Sequence, residues 1–128
     1  LKQMAAEDEK QLRDKAMMLA LCRGVRASEV ISLRLEDVNL EFGYLRLQGG
    51  RQSRTLSMGE DLPAALREYL EKGRPALLRG RESESVFVNC LGGPLSRQSV
   101  WKIVRHYGQQ AGISGLTPDG LRLAAHAD

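Results

Sequence analysis

Cysteine is all but missing from this chain. Cys22 and Cys90 are the two present in 128 residues, and they offer neither a paired-disulfide pattern nor a metal-ligand spacing. That excludes a disulfide scaffold and a cysteine-held metal centre. Both thiols sit in apolar contexts and read as buried free cysteines of a reducing compartment. Long apolar runs are missing too: no uninterrupted stretch approaches membrane-spanning length, and no signal peptide precedes the first helical pattern. A soluble cytoplasmic protein without a membrane partner is the expectation. Neither sign of charge dominates. Lys and Arg total 19 against 16 Asp and Glu, leaving a net charge of +3 and a pI near 9.1, which permits a nucleic-acid partner without demanding one.

What is present fits one domain, since the length supports a single core and not two. The chain begins at Leu1 without a methionine and stops at Asp128 partway along a helical pattern, as expected for part of a longer polypeptide or an excised domain. From Ala6 to Cys22, Leu12, Ala16, Leu19 and Ala20 fall on one helical face. A short helix from Ser28 to about Leu35 points Val30, Ile31 and Leu35 inward. Tyr44 to Leu47 and Ser53 to Met58 then read as a hairpin around Gly49 and Gly50. Asp61 and Pro63 open a helix that weakens near Gly73 and Pro75. Val86 to Val88 reads as a third strand. Ser96 caps a helix to about Ala111 that turns Val100, Ile103, Val104 and Tyr107 inward, and Thr117 with Pro118 starts a last one. The fold class is α+β, mainly helical, with a small antiparallel sheet of about three short strands on one side.

The most informative stretch runs from Ala20 to Val38, ALCRGVRASEVISLRLEDV. Gly24 is a helix-ending residue and Ser28 a favoured N-cap, so Arg26 stands just ahead of a helix start, where an anion is favoured. This block closely resembles the first catalytic-arginine segment of the tyrosine recombinases, the phage-integrase family of DNA strand exchangers. Arg26 falls on that family's first arginine and Glu29 on the acidic residue after it. Gly43 to Leu47, Arg54 to Gly59, Gly92 to Trp101 and Leu116 to Arg122 are similar to further segments of the family's catalytic domain. The likeness covers nearly all of residues 1–128. It includes neither the family's N-terminal DNA-clamping domain nor its C-terminal tyrosine segment.

The resemblance implies a tyrosine that attacks a backbone phosphate to form a covalent 3′-phosphotyrosine, with no cofactor and no metal. Two arginines hold the non-bridging oxygens as charge builds in the transition state, a hairpin lysine acts as general acid, and histidines move protons. Here Arg26 and Arg122 match the arginines. The lysine has no counterpart, because Gly49 or Gly50 stands at its place. Arg51 nearby holds its proton too tightly to be a good proton donor at neutral pH. The motif histidine is Asp119 and the residue after the second arginine is Leu123. An ionised Asp119 repels a phosphate by roughly 1 kcal/mol at about 4 Å in water, or pairs with Arg122 three residues on. Tyr44, Tyr69 and Tyr107 read as packed residues with hydrogen-bonded hydroxyls and not as replacement nucleophiles.

Glu29 reads as a support for the arginine loop. Arg51 and Arg54 flank the hairpin tip, and Arg97, Lys102 and Arg105 share the exposed side of the helix after Ser96. These are the candidate contacts to DNA phosphates, against the plainer reading of a solvated face. Trp101 reads as a half-buried packing residue, and His106 and His126 as surface or packing residues. Three readings follow. The first is a DNA-binding catalytic-domain fragment of a site-specific tyrosine recombinase or integrase, unable to cleave DNA alone. The second is a non-enzymatic DNA-binding or regulatory module, and the third a protein-interaction scaffold. Expected partners are double-stranded DNA and other recombinase protomers on it, with a nucleoid-associated monomer in solution.

Overall fold

The computed structural model describes residues 6–48, 53–113, 115–118 and 120. Helix α1 spans Ala6–Cys22. Ala16, Met17, Ala20 and Leu21 are wholly buried, while Leu12 and Leu19 lie half-buried beside them. The buried face is thus wider than the Leu12–Ala16–Leu19–Ala20 stripe, because α1 packs on two sides. Arg13 and Asp14 are buried too, a placement that burial tolerates only with partners. Arg13 Nη2 meets Asp14 Oδ1 at 2.9 Å and Nη1 donates to the Val88 carbonyl at 3.2 Å. The Tyr107 hydroxyl donates to Asp14 Oδ2 at 3.0 Å.

Gly24, at φ 107°, ends α1. Its N–H donates to Leu21 O at 3.0 Å and that of Val25 to Ala20 O at 3.1 Å, the two bonds of a Schellman turn. Helix α2, Ala27–Ser32, begins one residue earlier than Ser28 suggested, with Arg26 in the cap position. The chain leaves helix there, so Leu35 falls in a short 3-10 turn, Leu35–Asp37, and is exposed instead of facing inward.

Three strands follow: β1 Val38–Asn39, β2 Tyr44–Leu47 and β3 Arg54–Ser57, antiparallel in the order β1-β2-β3. Leu45 pairs with Val38 on one side and Leu56 on the other. Leu45 and Leu47 are buried and Tyr44 and Arg46 exposed, the alternation of a one-sided sheet. The expectation of about three short strands holds, but Val86–Val88 is not among them. That segment makes only isolated bridges at Ser85 and Val88. Its polar backbone is served by Tyr69, whose hydroxyl donates to Val86 O at 2.7 Å and accepts from Val88 N–H at 3.2 Å. A side chain stands where a neighbouring strand would.

The helix after Asp61 also differs from expectation. Asp61 makes no side-chain cap bond, and the weakening expected near Gly73 and Pro75 takes the form of a change of helix type. Helix α3, Leu62–Glu68, passes through a wide π-type stretch, Tyr69–Gly73, into α4, Arg74–Leu78. The Arg74 N–H reaches back to Tyr69 O, and Pro75, which has no N–H to place, follows. Gly73 is needed for contact: a Cβ there would lie 3.2 Å from the Glu9 carbonyl and from Leu12 Cβ on α1. Helix α5, Arg97–Gln110, has the expected cap, with Ser99 N–H donating to Ser96 Oγ at 3.1 Å. It buries Val100 and Val104. Thr117 Oγ1 accepts from Gly120 N–H at 2.9 Å at the start of the last expected helix. Cys22 is half-buried, and burial pushes its thiol up. Cys90 is exposed, contrary to expectation, since it lies in the turn that follows the Val86–Val88 segment.

Candidate functional site

The segment between α1 and α2 is held from three directions. Val25 is fully buried and anchors it to the core. At Arg26 the backbone is extended, φ −84° and ψ 158°, and its N–H donates to Glu29 Oε1 at 2.8 Å. An arginine side chain carries no acceptor, so this helix start is capped from one side, by the acid at its third position. From the sheet, Arg54 closes the arrangement. Its Nε donates to Glu29 Oε2 at 2.9 Å, and its Nη2 donates to Glu29 Oε1 at 2.7 Å and to the Gly24 carbonyl at 2.8 Å. A two-toothed guanidinium–carboxylate contact of this kind fixes orientation as well as distance.

The Glu29 side chain is 5% exposed. Burial pushes its carboxyl up, but the hydrogen bonds from Arg54 and from the Arg26 N–H, with the charges of both arginines, outweigh it and hold the group below the usual glutamate range. Glu29 is thereby kept ionised, and its partner Arg54 is held above the ordinary arginine value by the same bond.

The Arg26 side chain is exposed. With Ala27, Ser28, Arg97, Trp101 and Pro118 it lines a cleft of about 270 Å³ between α2 and α5. Two guanidiniums and no acid stand among those six residues. Of the other candidate DNA contacts, Lys102 and Arg105 are exposed further along α5, while Arg54 has Nε and Nη2 engaged inside the protein. Arg51, Asp119, Arg122 and His126 lie outside the described residues. Trp101, read from sequence as packing, is 42% exposed. Its neighbours along the chain carry no sign that its indole borders the same cleft as Arg26.

No tyrosine lines the cleft among the described residues. Tyr69 is buried, its ring stacked on Phe87 with centroids 5.6 Å apart, and burial pushes its hydroxyl up to about 12. Burial, then the charge of Asp14 and the bond to it, likewise push Tyr107 up to about 12. Tyr44 is partly exposed on β2. Among the described residues no group of three or more His, Cys, Asp and Glu side chains is placed to hold a metal ion. No helix there is long and apolar enough to cross a membrane.

The model of the phage integrase family matches residues 1–127. The chain belongs to that family. It is 41% identical over 113 residues to the tyrosine recombinase XerD of Staphylococcus epidermidis, a match covering 86% of this chain and 38% of that one. Among solved structures it resembles the XerA recombinase, with a TM-score of 0.76 at 24% identity over 98% of this chain and 47% of that chain. It also resembles the XerH site-specific recombinase bound to its difH substrate before cleavage, with a TM-score of 0.72 at 22% identity over 95% and 35%. The chain therefore spans about two fifths of the length of the curated relatives it matches. In this family member the arginine loop and α5 border a single cleft.

Proposed function

We propose that this chain is a DNA-binding catalytic-domain piece of a site-specific tyrosine recombinase or integrase, and that by itself it grips DNA without cutting it. The observation that carries this reading is the treatment of Arg26. Its backbone is locked by Glu29 and, through Glu29, by Arg54, while its side chain faces the cleft that Arg97 shares. A guanidinium presented on a fixed backbone loses little freedom when it takes a phosphate oxygen. The partner is double-stranded DNA, as for the XerH neighbour with its difH substrate. Arg122 is the second phosphate ligand of the proposal. Arg51, Lys102 and Arg105 add sequence-independent contacts along the backbone. Other recombinase protomers on the same DNA and association with the nucleoid belong to the same reading.

Silence in cleavage follows from the chemistry present. The Tyr69 and Tyr107 hydroxyls are committed to Val86, Val88 and Asp14, glycine stands at or beside the general-acid lysine's place, and Asp119 stands at the motif histidine's. The same replacements favour, as a second reading, a module that kept the DNA grip after losing the chemistry. A gel-shift titration of duplex DNA against salt tests both. Binding should weaken steeply as salt rises, and Arg26→Ala should weaken it further. Absent or salt-insensitive binding at low ionic strength would overturn the DNA reading. A nicked suicide duplex should yield no covalent adduct; an adduct would mean that the chain cuts DNA unaided.

A further inference from the structure

We propose that Trp101 makes the cleft selective for a phosphate carried within a nucleic-acid strand over a free phosphate ion. The inference rests on the DNA reading above and adds to it a residue and a mode of recognition.

Helix α5 already has its core contacts without the indole. Val100 and Val104 are fully buried one turn apart, whereas Trp101, on the neighbouring outward position, leaves 42% of its surface in solvent. A lone exposed aromatic needs no explanation. What sets this one apart is its surroundings. Arg97 lies four residues earlier, so the two side chains share a helix face. Arg26 faces them from α2 across the cleft of about 270 Å³, and Pro118, itself buried, closes one side. The cleft therefore has two cationic groups and one large apolar plate.

Two arginines suffice for a free phosphate, which is charge and hydrogen-bond acceptors on every side. It gains nothing from an indole, and a nonpolar wall removes part of its hydration without replacement. A phosphodiester within a strand differs because each phosphate is flanked by deoxyribose rings with apolar C–H faces. With the phosphate oxygens on Arg26 and Arg97, a flanking sugar rests against Trp101 and covers apolar area on both partners. The arginines then supply the salt-dependent part of the affinity and the indole a salt-independent part.

Trp101 is the single tryptophan of the chain, so fluorescence excited at the red edge, where tyrosine does not absorb, reads this cleft alone. Short duplex DNA should quench or shift the emission, and inorganic phosphate at the same concentration of phosphate groups should not. In gel shifts at fixed salt, Trp101→Ala should weaken duplex binding about fivefold without altering the slope of log affinity against log salt. Trp101→Phe should restore most of the loss, and helical circular dichroism of both variants should match the parent. Arg26→Ala should instead lessen the slope. Equal affinity of Trp101→Ala and parent, or equal quenching by phosphate and duplex, would overturn the proposal while leaving the DNA reading standing. If the parent binds no duplex at low salt, the DNA reading falls and this inference falls with it.

Discussion

The chain builds the same local device twice, and the first copy borders the cleft between α2 and α5. At the first, the Arg26 N–H is taken by the acid three residues on, Glu29, and the sheet arginine Arg54 grips that acid. At the second, the Arg34 N–H donates to Asp37 Oδ2 at 3.1 Å, and Arg46 Nε from β2 donates to Asp37 Oδ1 at 3.1 Å, joined by Gln48 Nε2 at 3.0 Å. Both acids are buried and both belong to the first turn of a helical segment. The first contact is a two-toothed fork that also holds the Gly24 carbonyl; the second rests on one guanidinium nitrogen and a neutral amide. Arg26 faces the cleft beside α5, whereas Arg34 stands in solvent with Glu36, 3.7 Å away, as its ionic neighbour. An arginine followed three residues later by an acid is therefore a folding device here, and the neighbouring helix decides whether its arginine borders a cleft.

That contrast can be broken most directly by removing the sheet arginines one at a time. Arg54→Met leaves the buried Glu29 carboxylate without its fork and should lower unfolding stability in urea by about 2–3 kcal/mol. Arg46→Met should cost about 1 kcal/mol, because Gln48 and the Arg34 N–H still serve Asp37. Equal losses would mean the two devices are energetically the same. In duplex binding, Arg26→Ala should cost about tenfold and Arg34→Ala nothing measurable. A matching loss at Arg34 would remove the distinction between the two sites.

A pH series sharpens the comparison further. The Glu29 pKa lies lower in the folded chain than in the unfolded one, so its contribution is fully present above the usual glutamate value of about 4.3 and disappears as pH falls through the folded value. Stability measured by urea midpoints should decline over that acid window, and Glu29→Gln should flatten the decline. An effect as small as that of Arg46→Met belongs to Asp14, whose partners are Arg13 and a neutral phenol. The Tyr107 hydroxyl is pushed up to about 12, so folding favours its protonated form. That contribution is present below pH of about 10 and is lost as pH climbs towards the folded value. Tyr107→Phe should cost about 1 kcal/mol near neutrality, and absorbance of the parent should show its phenolate forming later than in urea.

Local signals proved legible where they are complete within a few residues. The glycine at 24 marks the end of α1 because a Schellman turn needs φ > 0 at one place, and Ser96 marks the start of α5 because its hydroxyl answers an N–H three residues on. Tyr44 to Leu47 alternates because one face of β2 is buried. The weakening near Gly73 and Pro75 was legible but its form was not, because a π-type stretch, which no pairwise spacing encodes, delivers Pro75 to a position needing no donor. Val86 to Val88 misled because apolar, β-branched residues suit a strand and a buried irregular segment alike, and the Tyr69 hydroxyl that satisfies the latter lies 17 residues away. In the site, Arg26 was legible from the glycine and the acid around it. The Arg54 fork was not: 25 residues separate it from Glu29, and beside Arg51 it reads as one more hairpin-tip cation.

Residue order along the chain settled the end of α1, the start of α5, the strand alternation of β2 and the family, since each depends on neighbours within a turn or a motif. Tertiary packing alone decided that Arg54 serves the protein's interior and that Trp101 and Arg97 line one cleft with Arg26. Those outcomes depend on which helix lies beside which, a distance in space that separation along the chain does not set.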